Sequence, residues 1–481
     1  MEKWYREYLW KQVKNEMFRF FLLRWRWISR WHILSLSRKL PTHELKSHAY
    51  ITGKTWSWKS SLVEQLIYSL WWKSRKKEEI CIVVLDPHGD TVNRIRKFDL
   101  AKKYFSRHIY IDPTLSKGHT PVLNPLECTA KNSLDIEIQA TQLLRAIQEM
   151  IPDAKLSNFM RAILKPCLYV MLSKQDTNLT DLQEMLKQEE WHWIELGKQC
   201  EVLAYANFFA QEWNNPMYAR TKQSLYTKLQ SLLNSQIFYH LTMWPSTIMI
   251  PWALHSGKIL LFNLSKGKMW EEVAETMGRF LIAQIKSFAL QRAWLPGHLR
   301  KPIYLIIDEA DTFISGDSLN VILKETRKYG LHLILISQNI VSGVWHMKLR
   351  RNLLNNTNVK VIWANGLGTL KALANETGIG VKILQRLGFH EFRIRYGAYY
   401  KKLIKTKDVF WYKSPLLLRK WQVTRLTKRM VHETGYYRPK LTRSSSPDRI
   451  ADMPENWQRK LNHEHYPAPK FQVNKKAGGD K

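Results

Sequence analysis

Glycine is scarce in this chain: 20 residues of 481, outnumbered by 21 tryptophans. Glycine usually makes up roughly 7% of a protein and tryptophan ranks among the rarest residues. Cysteine is scarcer still. The four, Cys81, Cys128, Cys167 and Cys200, form no C-x-x-C pair, which argues against a zinc site or disulfide framework and suits a reducing compartment. Acidic residues are also few, 41 against 75 Lys and Arg, for a net charge of +34. Such an excess points to a polyanionic partner or an anionic membrane face. No apolar run approaches the ~18 residues that span a bilayer. The basic, aromatic stretch from Met17 to Trp27 suits a membrane surface at most. No small-residue cleavage site follows it, as a signal peptide would require. No internal repeat is visible.

The charge is uneven. Residues 1–40 hold ten basic against three acidic residues, and residues 398–481 twenty against seven. Between these ends, apolar strand-like runs alternate with helical patterns, the signature of a parallel α/β sheet. The runs are 49–52, 80–86, 108–112, 258–264, 303–308, 331–337, 359–362 and 391–395. From 129 to 245 the apolar residues recur at helical spacing and no strand pattern appears. The expected layout is a basic segment over 1–40, an α/β domain over 41–128 and 246–398, an inserted all-α domain over 129–245, and a basic, largely flexible region over 399–481. The polar, Pro-punctuated sequence beyond about 435 is expected to be a disordered tail.

One stretch carries the strongest chemical signal. Gly53-Lys54-Thr55-Trp56-Ser57-Trp58-Lys59-Ser60-Ser61 has the spacing of a phosphate-binding loop, Gly, four residues, Gly-Lys-Ser/Thr, with Trp58 in place of the second glycine. The flanks fit: a short strand before it and a helix from about Ser60 to Ser74. Such a loop binds ATP phosphates with bare backbone N–H groups and the positive end of the helix behind it. An indole at 58 would fill the phosphate's space. If about fifteen tryptophans were glycines, the glycine content would return to roughly 7%. Some bacterial lineages read UGA as glycine, and a table that reads UGA as tryptophan would print this pattern. The hypothesis is that Trp56, Trp58 and several others are glycine in the cell. The alternative is a catalytically decayed DNA-binding paralogue. UGG codons at both 56 and 58 would sink the recoding idea.

A second motif is Ile303-Tyr-Leu-Ile-Ile-Asp308-Glu309. An apolar strand delivers two carboxylates at its C-terminal end, where open α/β sheets bind ligands. In an ATPase the first, Asp308, orients Mg²⁺ with Ser60, and the second, Glu309, polarises the attacking water. Alone the motif is weak, since many strands end in a polar loop. Gln338 closes the next strand, so it can lie beside both carboxylates and sense the γ-phosphate. Arg327 sits at a basic helix end, where arginine is ordinarily a dipole or solubility residue.

With these pieces in order, the chain resembles the conjugative coupling ATPases of type IV secretion systems, within the HerA/FtsK class of DNA-pumping motors. The matching residues also include Leu85-Asp-Pro-His-Gly-Asp90, Ile111-Asp-Pro113, Asn124-Pro-Leu126, Ser256 to Gly267, Glu325 to Gly330 and Leu354 to Asn358. They cover roughly 45–398. Trp56, Trp58 and Trp363 stand where this family places glycine. The resemblance implies a RecA-like P-loop sheet, an all-α insertion, a homo-oligomeric ring of six, ATP and Mg²⁺ as cofactors, and single- or double-stranded DNA as cargo; the spread positive charge and the lack of a base-reading motif point to binding without regard to sequence. It further implies that the arginine matching Arg327 reaches a neighbouring subunit's ATP, and that secretion-channel or relaxase proteins are partners. Family members often carry N-terminal membrane helices. None is read here, so the expected location is the cytoplasm, peripheral at the inner membrane. A HerA-type motor for DNA processing is the other reading on the same fold.

Overall fold

The structure is a computed structural model. It describes residues 43–440 apart from 55–58, 75–79, 129–131, 151–156, 175, 188–190, 315, 342–346, 389, 398–399 and 406–413, together with 17, 24–25, 27–31, 33 and 40. Eleven strands occur among these residues. They are β1 (Ala49–Thr52), β2 (Cys81–Asp86), β3 (His108–Ile111), β4 (His119–Thr120), β5 (Ile259–Asn263), β6 (Ile303–Ile307), β7 (Leu331–Ser337), β8 (Val359–Ile362), β9 (Glu391–Tyr396), β10 (Tyr400–Lys405) and β11 (Arg438–Pro439). Nine form one sheet in the order β10-β9-β8-β1-β7-β6-β2-β5-β3. From β8 to β3 every pairing is parallel; β9 and β10 add on antiparallel.

The central strands are buried at every position, which is why they read as largely apolar runs, interrupted by His332 in β7 and Lys360 in β8. Alternate residues serve opposite faces. Tyr50, Val83, Leu85, Leu305 and Leu333 face one core, which continues into the helices between Ser133 and Gln291. Ile51, Ile82, Val84, Ile306 and Ile334 face the other, packed on the helix Lys59–Ser74. No strand occurs among the described residues from Ser133 to His255. This helical stretch has no core of its own: Leu144, Leu168 and Leu229 belong to the same apolar cluster as the sheet face.

Two expectations need correction. The sheet is mixed, because β9 returns antiparallel to β8. It also does not stop at 398. Strand β10 runs to Lys405 at its edge. Further on, Leu416 and Tyr437 are fully buried and the helix Lys420–His432 buries Met430 and Val431. The Tyr437 hydroxyl donates to the carbonyl of Tyr110 at 3.1 Å and accepts the N–H of Asp112 at 3.0 Å. An apolar residue every third or fourth position, amid many lysines and arginines, hid this helix in the sequence. Residues 441–481 lie outside the described residues, as do Thr55, Trp56, Ser57 and Trp58. Ile33 and Leu40 of the basic N-terminal segment are packed in the core, and Arg30 binds Tyr68 and Asp99.

Candidate nucleotide site

Strand register builds the site. Thr52 of β1 pairs with Ser337 of β7, Leu335 of β7 with Ile307 of β6, and Ile307 with Leu85 of β2. Parallel strands in this register end together. Gly53, Gln338, Asp308 and Asp86 therefore emerge at one edge of the sheet, drawn from four parts of the chain.

Lys59 opens the first turn of the helix behind β1, and its Nζ donates to the Gly53 carbonyl at 2.6 Å. Burial lowers the Lys59 pKa, opposed by the charges of Asp308, Glu309 and Asp311. The ammonium thus lies in the field of all three carboxylates. Burial also pushes the Asp308 carboxyl up to about 6, with the like charge of Asp86 adding and Lys59 opposing. Glu309 has a left-handed backbone, φ 43°, uncommon for a residue with a side chain. Its Oε1 accepts from Gln338 Nε2 at 2.9 Å, and its Oε2 lies 2.7 Å from His88 Nε2. Ser60 is exposed on the first turn. Ser61 is buried, its hydroxyl accepting from Gln65 at 3.3 Å.

Lys54, Gln338, Asn339, Asn365 and Thr369 line an open cleft of about 460 Å³ beside this cluster. Asn365 ties it to the loop. With its amide oriented to satisfy both ends, it donates to the Gln338 carbonyl at 2.8 Å and accepts from the Gly53 N–H at 3.2 Å.

The structure does not bring Arg327 into the cluster. Arg327 lies exposed on the turn Thr326–Tyr329, just before β7 begins. Gln338 follows the end of β7, so the whole strand separates them, about 23 Å at roughly 3.3 Å per residue. His88, Thr91 and Asn365 are neighbours of the site that the sequence reading did not assign. His88 lay within a stretch already matched to the motor family; Asn365 belongs to no motif.

Residues 302–380 match the family model TraG-D_C, the TraM recognition site of TraD and TraG. That segment holds β6, β7 and β8, the middle of the site. The plasmid coupling protein TrwB, solved with ADP and Mg²⁺, aligns over 79% of this chain and 90% of its own at 15% identity, with a TM-score of 0.56. The chain is similar in fold to the conjugative coupling proteins. The same coupling protein with the ATP analogue ADPNP gives 14% identity over the same shares and a TM-score of 0.53. VirB4 of Thermoanaerobacter pseudethanolicus aligns over 75% of this chain and 89% of its own at 16% identity, TM-score 0.52. These identities carry the coupling-protein fold, a RecA-like P-loop sheet, and not the chemistry. No curated protein is similar to the chain in sequence. Among the described residues no helix is long and apolar enough to cross a membrane.

Proposed function

We propose that this chain is an ATP-hydrolysing DNA translocase, the coupling ATPase of a conjugation-like type IV secretion system. The observation that carries it is the meeting of Lys59, Asp308, Glu309 and Gln338 at one sheet edge of a coupling-protein fold. A decayed site would be expected to have lost part of this set.

The residues fit ATP with Mg²⁺. Asp308 is a buried carboxylate whose charged form is disfavoured by burial and by the charge of Asp86, a cost that a cation beside it relieves. Asp308 and Ser60 would hold the ion, which when bound neutralises phosphate charge. Lys59, at the helix N-terminus with Gly53 to Ser61, binds the phosphates. Glu309 orients the attacking water and takes its proton, and Gln338 holds Glu309 in place. The cleft beside Lys54 has a volume within the usual 300–1,000 Å³ of a small-molecule site.

The remaining assignments rest on the resemblance. Residues 41–128 and 246–398 form the motor, extended at its edge by β10 to Lys405, and 129–245 the helical insertion. The assembly is a homo-oligomeric ring, with Arg327 acting on a neighbour's ATP. Relaxase, secretion-channel or TraM-type proteins are the partners, and the chain works in the cytoplasm at the inner membrane. The net charge of +34 supports DNA as cargo. The test is an ATPase assay with and without DNA, on full chain carrying glycine at 56 and 58. Stimulated hydrolysis is expected; nucleotide binding with no turnover under either condition would favour the decayed paralogue.

A further inference from the structure

Strand β2 runs into Asp86-Pro87-His88-Gly89-Asp90. Asp86 fixes its path. The N–H groups of His88 and Gly89 donate to Oδ1 at 2.9 and 2.8 Å, and that of Val92 to Oδ2 at 3.0 Å. Burial raises the Asp86 pKa against these three bonds. Gly89 adopts φ 81°, and a Cβ there would lie 2.2 Å from Asn263 Oδ1. A larger residue there would be strained and would collide with Asn263, so this seating of the loop depends on glycine.

From that seating two side chains reach the carboxylates of the neighbouring β6. Thr91 Oγ1 donates to Asp308 Oδ2 at 3.3 Å. His88 Nε2 lies 2.7 Å from Glu309 Oε2. Glu309 Oε1 is held from the opposite side by Gln338. One oxygen is thus gripped from β2 and the other from β7. The terminal torsion of a glutamate is broad, and one hydrogen bond leaves it free to turn. Two, from opposite strands, fix the plane of the carboxylate.

We propose that His88 is a positioning residue for ATP hydrolysis: its Nε2–H holds Glu309 Oε2 and sets the orientation in which Glu309 meets the attacking water. The proposal rests on the assignment of Glu309 as the water-activating group. It needs only an N–H donor at that place, which a glutamine amide supplies. His88 is 55% exposed on its side chain, so replacing it leaves no cavity. A group misplaced by about 1 Å can cost on the order of 10²-fold in rate.

The test uses full chain with glycine at 56 and 58. His88→Ala should lower kcat by roughly 10- to 100-fold, with KM and the Kd for a non-hydrolysable ATP analogue within about twofold and the Tm unchanged. His88→Gln should recover most of the rate. In a Glu309→Gln background, His88→Ala should cost nothing further. Full kcat in His88→Ala, a matching loss of nucleotide affinity, no recovery with glutamine, or a further loss in the double variant would each overturn it. An unmutated chain that binds but never hydrolyses ATP overturns the assignment of Glu309 itself and this proposal with it; the other outcomes leave that assignment standing.

Discussion

Gln338 and Glu309 meet across adjacent strand ends: the Gln338 amide donates to Glu309 Oε1 at 2.9 Å, although 29 residues separate them. Strand register alone makes this contact, because Ile307 pairs with Leu335. The contact implies an order of effects. Glu309→Gln should keep nucleotide binding and slow hydrolysis by on the order of 10²–10⁴. Gln338→Ala should slow it less, since the base remains. Single-turnover kinetics beside an equilibrium binding assay would check both; a Glu309→Gln chain hydrolysing at the unmutated rate would reassign the base.

Arg327 and Gln338 bracket β7 from opposite ends. Arg327 therefore cannot reach ATP held at its own sheet edge. In trans, such an arginine can contribute on the order of 10³–10⁵ in rate. Mixing Arg327→Ala with Glu309→Gln subunits should restore part of the activity lost in each, because one interface in the mixed ring has both groups. Activity that never exceeds the better single variant would reduce Arg327 to a solvated charge. A monomer at full rate would do the same.

The loop itself is tested at 56 and 58. Glycine at both positions should give MgATP binding through Lys59 and Ser60. Tryptophan at both should bind weakly, because indoles fill the phosphate's space. Equal affinities in the two forms would refute the steric argument. Peptide mass spectrometry of the native protein at 56 and 58 tests the codon hypothesis directly.

DNA binding should be independent of sequence and steeply salt-dependent. Most of the basic charge of residues 398–481 lies before residue 441. Residues 441–481 hold eight basic against five acidic residues, while 398–440 hold twelve against two. In the helix Lys420–His432, Lys420, Arg425 and Lys428 are exposed. Truncation after Lys440 should change DNA affinity little. Reversing those three charges should weaken binding at every sequence and, if each meets a phosphate, reduce the salt slope by about 0.9 per contact. Truncation at 436 would instead remove the buried Tyr437 and damage the fold. Filter binding from low to high salt separates these cases.

Acid stability should follow three buried histidines. Burial lowers His48 to about 4 and His108 and His332 to about 3. Unfolded histidine titrates near 6.5. Below that pH the unfolded chain binds protons that the folded chain refuses, so stability is full above about 6.5 and falls toward 3–4. Each histidine contributes up to about 1.4 kcal/mol per pH unit in that window. His108 stacks on Trp71 at 5.8 Å with both ring nitrogens buried and unpartnered. His108→Phe should flatten the profile by about one group. A Tm that does not move between pH 7 and 5 would contradict this reading.

The sequence by itself determined most strands of the sheet and the polar residues they end in. Runs such as 81–85 and Ile303–Ile307 are buried on both faces, so they are built of apolar and aromatic residues and the pattern is local. The spacing from Gly53 to Lys59 is also local, because a phosphate-binding loop is one short stretch of chain. The tertiary structure decided what depends on register and on long return paths. The grip of His88 and Gln338 on Glu309, the tie of Asn365 to Gly53, and the placement of Arg327 at the far edge all follow from which strands lie side by side. Neighbouring strands here come from distant parts of the chain, and no local pattern records that. The same holds for Tyr437, whose hydroxyl finds Asp112 only because the C-terminal segment folds back over β3.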